Sequence, residues 1–263
     1  MNNPLPDAQF FHTLADAADK TILAHYRQSL TIETKYKQDV RFDPVTQADR
    51  QAEHVIRDLI GQRYPEHAIL GEEFGENDSQ SLLKWVIDPI DGTRPFICGL
   101  PVWGSLIGLQ QAQIARMGMM SQPFTQERFW ADGEHSWTSG PMGHSQLLTR
   151  QNATLANAIL HTTSPELYSL HPQVKFAELT QRVLMTRYGG ECYAMAMLAA
   201  GRIDLCLELS LQPYDIVAFI PIIEQAGGVV TTLQGHRAEA GGQILASANR
   251  ALHDAALAVL NGE

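Results

Sequence analysis

The stretch Asp88-Pro89-Ile90-Asp91-Gly92-Thr93 places two carboxylates three residues apart in a backbone prone to bend. It follows a short apolar run, Trp85 to Ile87, of the kind that forms a buried strand. Asp-Pro and Asp-Gly are both turn-forming dipeptides. A bend there can turn Asp88, Asp91 and the Ile90 carbonyl toward one point. Three oxygens converging on a point suit a hard divalent cation such as Mg2+. Gly92 lets a ligand approach the backbone closely, and the amides and hydroxyl around Gly92 and Thr93 can hold an anion beside the ion. An acidic surface turn is the alternative that the segment alone leaves open.

Further acids lie elsewhere in the chain, each with a plain structural explanation of its own. Glu72 and Glu73 follow a strand end in Gly71-Glu72-Glu73, where paired glutamates are ordinarily solvated. Asp49 closes Thr46-Gln47-Ala48-Asp49, a helix-start pattern that satisfies backbone amides without a ligand. Asp215 falls in the first turn of a helix, where the dipole favours a carboxylate. Taken together, Glu72, Asp88, Asp91 and Asp215 all sit at strand ends or helix starts, the edges at which α/β folds bind ligands. Four like charges gathered there would repel and raise one another's pKa values. Two divalent ions would neutralise them, and a pair about 4 Å apart is the usual device for displacement at phosphorus.

The elements that must position these residues follow from periodicity. Phe10, Leu14, Ala18, Ile22 and Tyr26 recur at spacing four and predict a helix from Pro6 to about Leu30. Lys35 to Pro44 is polar and aperiodic and reads as a mobile loop. A second helix is expected over Thr46–Arg63, with Ala52, Val55, Ile56, Leu59 and Ile60 inward, ended by Tyr64-Pro65. His67–Leu70 is a short strand and Glu76–Ser81 a polar loop. After the central stretch, Val102–Gln110, Gln113–Ser121 and Glu127–Ala131 predict an antiparallel sheet. A boundary falls near Arg150, after the Gly- and Ser-rich segment Ser139–Ser145. It divides an N-terminal α+β half (1–150), which carries the metal motif, from a C-terminal α/β half (151–263), which supplies the last ligand and the substrate pocket. In that second half Ala158–Thr162, Ile203–Glu208 and Val229–Thr232 read as strands. Pro172–Leu184, Cys192–Ala200 and Pro213–Gln225 read as helices. The alternation argues for an α/β layer, hence an α+β or α/β layered sandwich with the site between the halves.

At 263 residues, 44% apolar and 18% charged, the chain can bury a full core. Its net charge of −10, with no Lys/Arg cluster, disfavours binding to a nucleic-acid backbone. A phosphate substrate is compatible with that charge only if bound cations reverse the field locally. Cys98, Cys192 and Cys206 lack zinc spacing and fit reduced thiols in a cytoplasm. Met1 to Gln9 does not read as a signal peptide, and no apolar stretch approaches the length of a membrane span.

These residues resemble the inositol monophosphatase family. The matching blocks are Gly71-Glu72-Glu73, Asp88 to Thr93, Tyr214-Asp215-Ile216-Val217-Ala218 running into Glu224-Gln225-Ala226-Gly227-Gly228, and Thr46-Gln47-Ala48-Asp49. Within the family the chain looks most like the histidinol-phosphate phosphatase branch, through Arg94 to Gly104, Arg187 to Tyr193 and Gln212-Pro213-Tyr214-Asp215. It has Glu191 where that branch commonly has Asp. The resemblance implies the αβαβα sandwich of these phosphatases, two to three Mg2+ ions per site and a homodimer. It also implies ligand roles. Glu72, Asp88 and the Ile90 carbonyl hold one ion; Asp88, Asp91 and Asp215 hold the second. Gly92 and Thr93 contact phosphate, and an activated water attacks in line. Glu72 and Thr93 orient or deprotonate that water, with Asp49 supporting Thr93.

Specificity rests on a separate expectation. Histidinol phosphate carries an ammonium group and an imidazole, whereas inositol carries only hydroxyls. Glu191, at a helix start after Gly189-Gly190, is expected at the cationic end with Glu208 assisting, unless it is an ordinary helix-start acid. Arg94 either touches phosphate or covers the turn. Competing expectations are a phosphatase acting on inositol phosphates or an adenosine bisphosphate, and a binding partner in RNA-processing or transcription complexes.

Overall fold

In a computed structural model, which describes residues 5–29, 33–34 and 44–262, the stripe Phe10, Leu14, Ala18 and Ile22 is the buried face of helix α1 (Ala8–Leu23). Asp7 caps it by accepting from the Phe10 amide. The helix stops at Leu23, short of the Leu30 that its periodicity suggests. Arg27 turns the chain at φ +59 and donates both Nε and Nη2 to the Gly99 carbonyl. Tyr26 nevertheless stays buried, against Phe96 and Trp103. The expectation of a loop over Lys35–Pro44 lies outside the described residues apart from Pro44. Strands β1 (Glu33–Thr34) and β2 (Pro44–Val45) pair antiparallel ahead of helix α2 (Gln47–Arg63). On α2, Ala52, Ile56 and Ile60 are buried as expected, and so are Asp49 and Glu53.

The first sheet comprises β3 (Ala68–Gly71), β4 (Gly75–Glu76), β5 (Leu83–Asp91), β6 (Gly104–Gln111), β7 (Ile114–Gln122), β8 (Glu127–Ala131), β9 (Ser136–Gly140) and β10 (Gly143–Gln146). A short helix, α3 (Thr93–Ile97), lies between β5 and β6. The strand order is β10-β9-β8-β7-β6-β5-β3-β4. All pairs are antiparallel except β3 with β5. The Gly- and Ser-rich segment Ser139–Ser145 lies within the β9–β10 hairpin; β10 is exposed throughout and so lacks the alternation that would betray a strand.

The second sheet comprises β11 (Ile159–Thr162), β12 (Met185–Tyr188), β13 (Leu205–Leu211), β14 (Val229–Thr232) and β15 (Gly242–Ser247), ordered β12-β11-β13-β15-β14. Its helices are α4 (Phe176–Arg182), α5 (Glu191–Ala199), α6 (Pro213–Ile216), α7 (Phe219–Glu224) and α8 (Arg250–Asn261). The expected helix over Pro172–Leu184 shrinks to α4, and β12, β15 and α8 carry no expectation. The single helix expected over Pro213–Gln225 is two. Val217 and Ala218 keep right-handed helical dihedrals, but Pro221 has no amide to return to the Val217 carbonyl.

Five layers result, confirming the αβαβα sandwich. Helices α1 and α2 cover one face of the large sheet through Ile56, Trp85, Ile87 and Ile107. Its other face packs through Val86, Leu106 and Met120 against α5, α6 and α7, which also cover the small sheet at Cys206 and Ala246. Helices α4 and α8 close the far face over Leu205, Leu207 and Leu245. The sheets sort their residues with period two: Trp85 and Ile87 to one side, Val86 to the other.

Candidate metal and phosphate site

On a regular strand, residues three apart face opposite sides, so Asp88 and Asp91 would be separated by the sheet. The strand does not end at Ile87 as its Asp-Pro break suggests; β5 continues through Pro89 to Asp91 with an irregularity between the two acids. Asp88 pairs with Leu106 and Asp91 with Gly104, three steps on β5 against two on β6. The extra residue is a bulge, and it resets the alternation so that both carboxylates reach one cleft. Pro89 is tolerated because the bulge removes the need for its ladder hydrogen bond. The Asp88 carboxylate accepts from the Ile90 amide at 3.1 Å, and the Ser105 hydroxyl donates to the Pro89 carbonyl at 2.8 Å. Gly92 then turns at φ +85, which a side chain would resist, and leads into α3.

The other acids arrive from separate elements. Parallel pairing aligns Gly71 with Ile87, and the Glu72 amide donates to the Ile87 carbonyl at 3.1 Å. Glu72 therefore stands beside Asp88, and their carboxyls share a hydrogen bond. Asp215 is the third residue of α6 and accepts from the Gln212 amide at 2.7 Å. Its helix is held close to the large sheet because paired glycines face it: a Cβ on Gly118 would stand 2.1 Å from the Ala218 carbonyl oxygen, and one on Gly108 would stand 2.8 Å from Val217. Carboxylate oxygens of Asp88, Asp91 and Asp215 lie within 4.8 Å of one another.

Such crowding has a clear electrostatic signature. Burial pushes Asp88 and Asp91 well above the usual carboxylate range, and neighbouring carboxylates push further, Glu72 most at Asp88 and Asp215 most at Asp91. Asp49 is buried too and rises to about 6, with the Glu72 charge adding to burial. A donor set made of carboxylates and a backbone carbonyl, destabilised by its own charge, is what a hard divalent cation satisfies. The residues present therefore fit magnesium.

The cleft has a volume of about 210 Å³ and continues from this cluster to a second acidic wall. The Thr163 amide and hydroxyl donate to Glu208 at 2.8 and 3.1 Å, and the hydroxyl also reaches Glu191 at 3.5 Å. Burial raises Glu208 to about 8, with the Glu191 charge contributing. Glu191 is raised by burial, against the opposing charge of Arg94. Arg94 itself is exposed. Glu191 also adopts φ +46, a strained conformation for a non-glycine residue. Behind this wall the Gly190 amide donates to His161 Nε2 at 2.8 Å. A bulge on β13 follows Glu208, so each acidic wall lies beside an extra strand residue.

All the residues singled out in the sequence except Asp49 and Arg94 line the cleft. The Thr93 hydroxyl donates to the Ile90 carbonyl at 3.1 Å. The Asp49 bonds run to the Thr46 amide and hydroxyl, at 2.9 and 2.6 Å. Sequence reasoning missed Thr163, Cys192 and Met195 in the lining. Cys192 lies within the matching Arg187–Tyr193 block without being read as a lining residue, and no motif marks Thr163 or Met195; Thr163 follows the end of β11, and Cys192 and Met195 lie in the first half of α5. A larger hollow of about 710 Å³ opens at the opposite ends of β5, β6 and β7, but Glu66 is the only carboxylate among its lining residues.

A five-layer sandwich with carboxylates converging in the cleft between its two sheets defines a phosphatase. The chain belongs to the inositol monophosphatase family, whose model matches residues 5–262. It is 35% identical to a histidinol-phosphatase of Streptomyces coelicolor over 99% of both chains. It is 38% identical to the protein named bifunctional phosphatase IMPL2, chloroplastic, of Arabidopsis thaliana, over 86% of this chain; it spans 64% of that relative's length. Among solved structures it superposes on an inositol monophosphatase from Zymomonas mobilis with a TM-score of 0.84 and 34% identity, over 96% of each chain.

Proposed function

We propose that the chain is a Mg2+-dependent phosphate monoester hydrolase whose substrate is histidinol phosphate. One observation carries the substrate: beside the acidic cluster the cleft is lined by Glu191 and Glu208, joined by Thr163 and near enough to Asp91 to act on its charge. Two acids in that position suit a cationic end group better than a polyol. The histidinol-phosphatase name of the Streptomyces relative supports this reading.

In this proposal Glu72, Asp88, Asp91, Asp215 and the Ile90 carbonyl hold two to three Mg2+ ions. Bound magnesium would neutralise the phosphate and make hydroxide available near neutral pH. The chain's own residues do the rest. Gly92 and Thr93 amides face the phosphate, and Glu72 and Thr93 orient the attacking water. Asp49 has one oxygen, Oδ1, buried without a partner. Support of Thr93 by Asp49 requires that hydroxyl to turn from the Ile90 carbonyl toward it. In this proposal Arg94 covers the turn, its charge acting on Glu191. We extend the proposal to a cytoplasmic homodimer with no nucleic-acid or membrane partner, in keeping with the net charge of −10. Light scattering tests the dimer.

A second reading, an inositol phosphatase, draws on Glu208. With its pKa raised to about 8, this carboxyl is protonated at pH 7 in the empty site and can donate to a hydroxyl. Phosphate release from histidinol phosphate beside inositol phosphate, with and without chelator, separates the two. Histidinol phosphate is expected to turn over faster, only with Mg2+, and Glu191→Ala to reduce that preference about tenfold or more. Equal rates on both esters would favour the polyol, and a preference untouched by Glu191→Ala would remove Glu191 from the account of specificity.

A further inference from the structure

Glu53 lies fully buried on α2, one turn after Asp49, and the chemistry proposed above does not use it. A carboxylate is retained at such depth only where partners hold it. Its Oε2 accepts from the Glu73 amide at 2.7 Å. Its Oε1 accepts from the Phe74 amide at 3.3 Å and from Arg57 Nε at 2.7 Å. Arg57 in turn donates through Nη2 to the Gly75 carbonyl. These backbone groups belong to the turn that leaves β3 through Glu72 and enters β4 at Gly75. Gly71, on the other side of Glu72, packs so close that a Cβ there would stand 1.9 Å from Glu53 Oε1. The chain is thus set against one side chain both before and after Glu72.

We propose that Glu53, with Arg57 as its counter-ion, is a positioning residue for Glu72. It touches neither ion nor substrate in this account. It fixes two amides and, through Arg57, one carbonyl of the same turn, which determines where the backbone places the Glu72 carboxylate. A neutral acceptor could hold the amides, but only a charged one also recruits the guanidinium that holds the carbonyl. Outer partners of this kind commonly govern metal affinity, by roughly 10–100-fold when removed.

The inference rests on Glu72 being a metal ligand, so the test includes that residue. Mn2+ binding to metal-stripped protein is followed by electron paramagnetic resonance, beside the Mg2+ dependence of turnover. Glu53→Gln is expected to weaken Mn2+ binding about tenfold and to raise the Mg2+ requirement similarly. At saturating Mg2+ its kcat should return to within about threefold of the parent and its KM for substrate should hold. Gly71→Ala should weaken Mn2+ binding by crowding Glu53. Adding Glu53→Asp, which withdraws the carboxylate by one methylene, should recover part of that loss. Should Glu53→Gln fail to fold, Arg57→Gln, at a partly exposed position, should show the same split with a smaller shift. A folded variant with parental Mn2+ affinity, or additive losses in the Gly71/Glu53 pair, would overturn the proposal. If Glu72→Gln itself bound Mn2+ like the parent, the metal assignment of Glu72 would fail first, and this inference with it.

Discussion

Asp88 illustrates how a residue chosen for chemistry weakens the empty fold. It is 2% exposed, and three other carboxylates raise its pKa further. Asp88→Asn is therefore expected to lower turnover on the order of 10³-fold or more, yet to raise the unfolding temperature of the metal-free protein. Calorimetry of both proteins in chelator checks the second point; a less stable variant would mean that the cluster does not repel as described. Glu208 gives a pH-dependent counterpart. Its folded pKa, about 8, lies above the usual 4.5. Its contribution to stability is thus fully present below pH 4.5 and is lost as pH rises through 8. The loss is on the order of 5 kcal/mol at most. Between pH 5 and 8.5 the metal-free parent should lose stability relative to Glu208→Gln; parallel denaturation curves across that range would refute the shift. Residue types and spacing pointed to both residues and to mutual repulsion at Asp88, but not to the burial that is the first cause of both shifts, since no local window contains it.

At the scale of elements, the site depends on irregularities. Two bulges, after Asp88 on β5 and after Glu208 on β13, each insert one residue beside an acid of the cleft. The Asp-x-x-Asp spacing made a bend legible, but it suggested that the strand ends at Ile87. The strand instead continues, because pairing with β6 resumes at Gly104. The glycines Gly108 and Gly118 carry no motif, yet they let the α6–α7 junction approach the sheet and so place Asp215. Gly118→Ala should cost about 1–3 kcal/mol by overpacking and should weaken metal binding by displacing α6. Urea denaturation together with Mn2+ titration checks this; a full loss of stability with metal affinity intact would separate α6 from the site. Glu53 was legible in principle: it lies on the face of α2 marked by Asp49, Ala52 and Ile56. An apolar stripe drawn without its polar members hides it.

On the proposed ligand set, metal binding would couple to folding across the whole molecule, since Glu72 follows β3, Asp88 and Asp91 lie on β5 and Asp215 lies on α6, elements far apart in the chain. Mg2+ should stabilise the folded state by about 2.7 kcal/mol at a hundredfold excess over Kd. A thermal midpoint that ignored Mg2+ would contradict the assignment of the cleft. No helix among the described residues is long and apolar enough to cross a membrane. Composition, periodicity and the spaced acidic motifs determined the layered class and the family and named the acids that the cleft gathers, because residue type and local spacing are properties of the chain itself. Only the tertiary structure decided that β3 runs parallel to β5, that a bulge turns Asp88 and Asp91 to one side, and that Thr163 ties Glu191 to Glu208. Those are relations between segments distant in sequence, set by strand register and close packing, and a one-residue slip in either would scatter the same carboxylates over two faces.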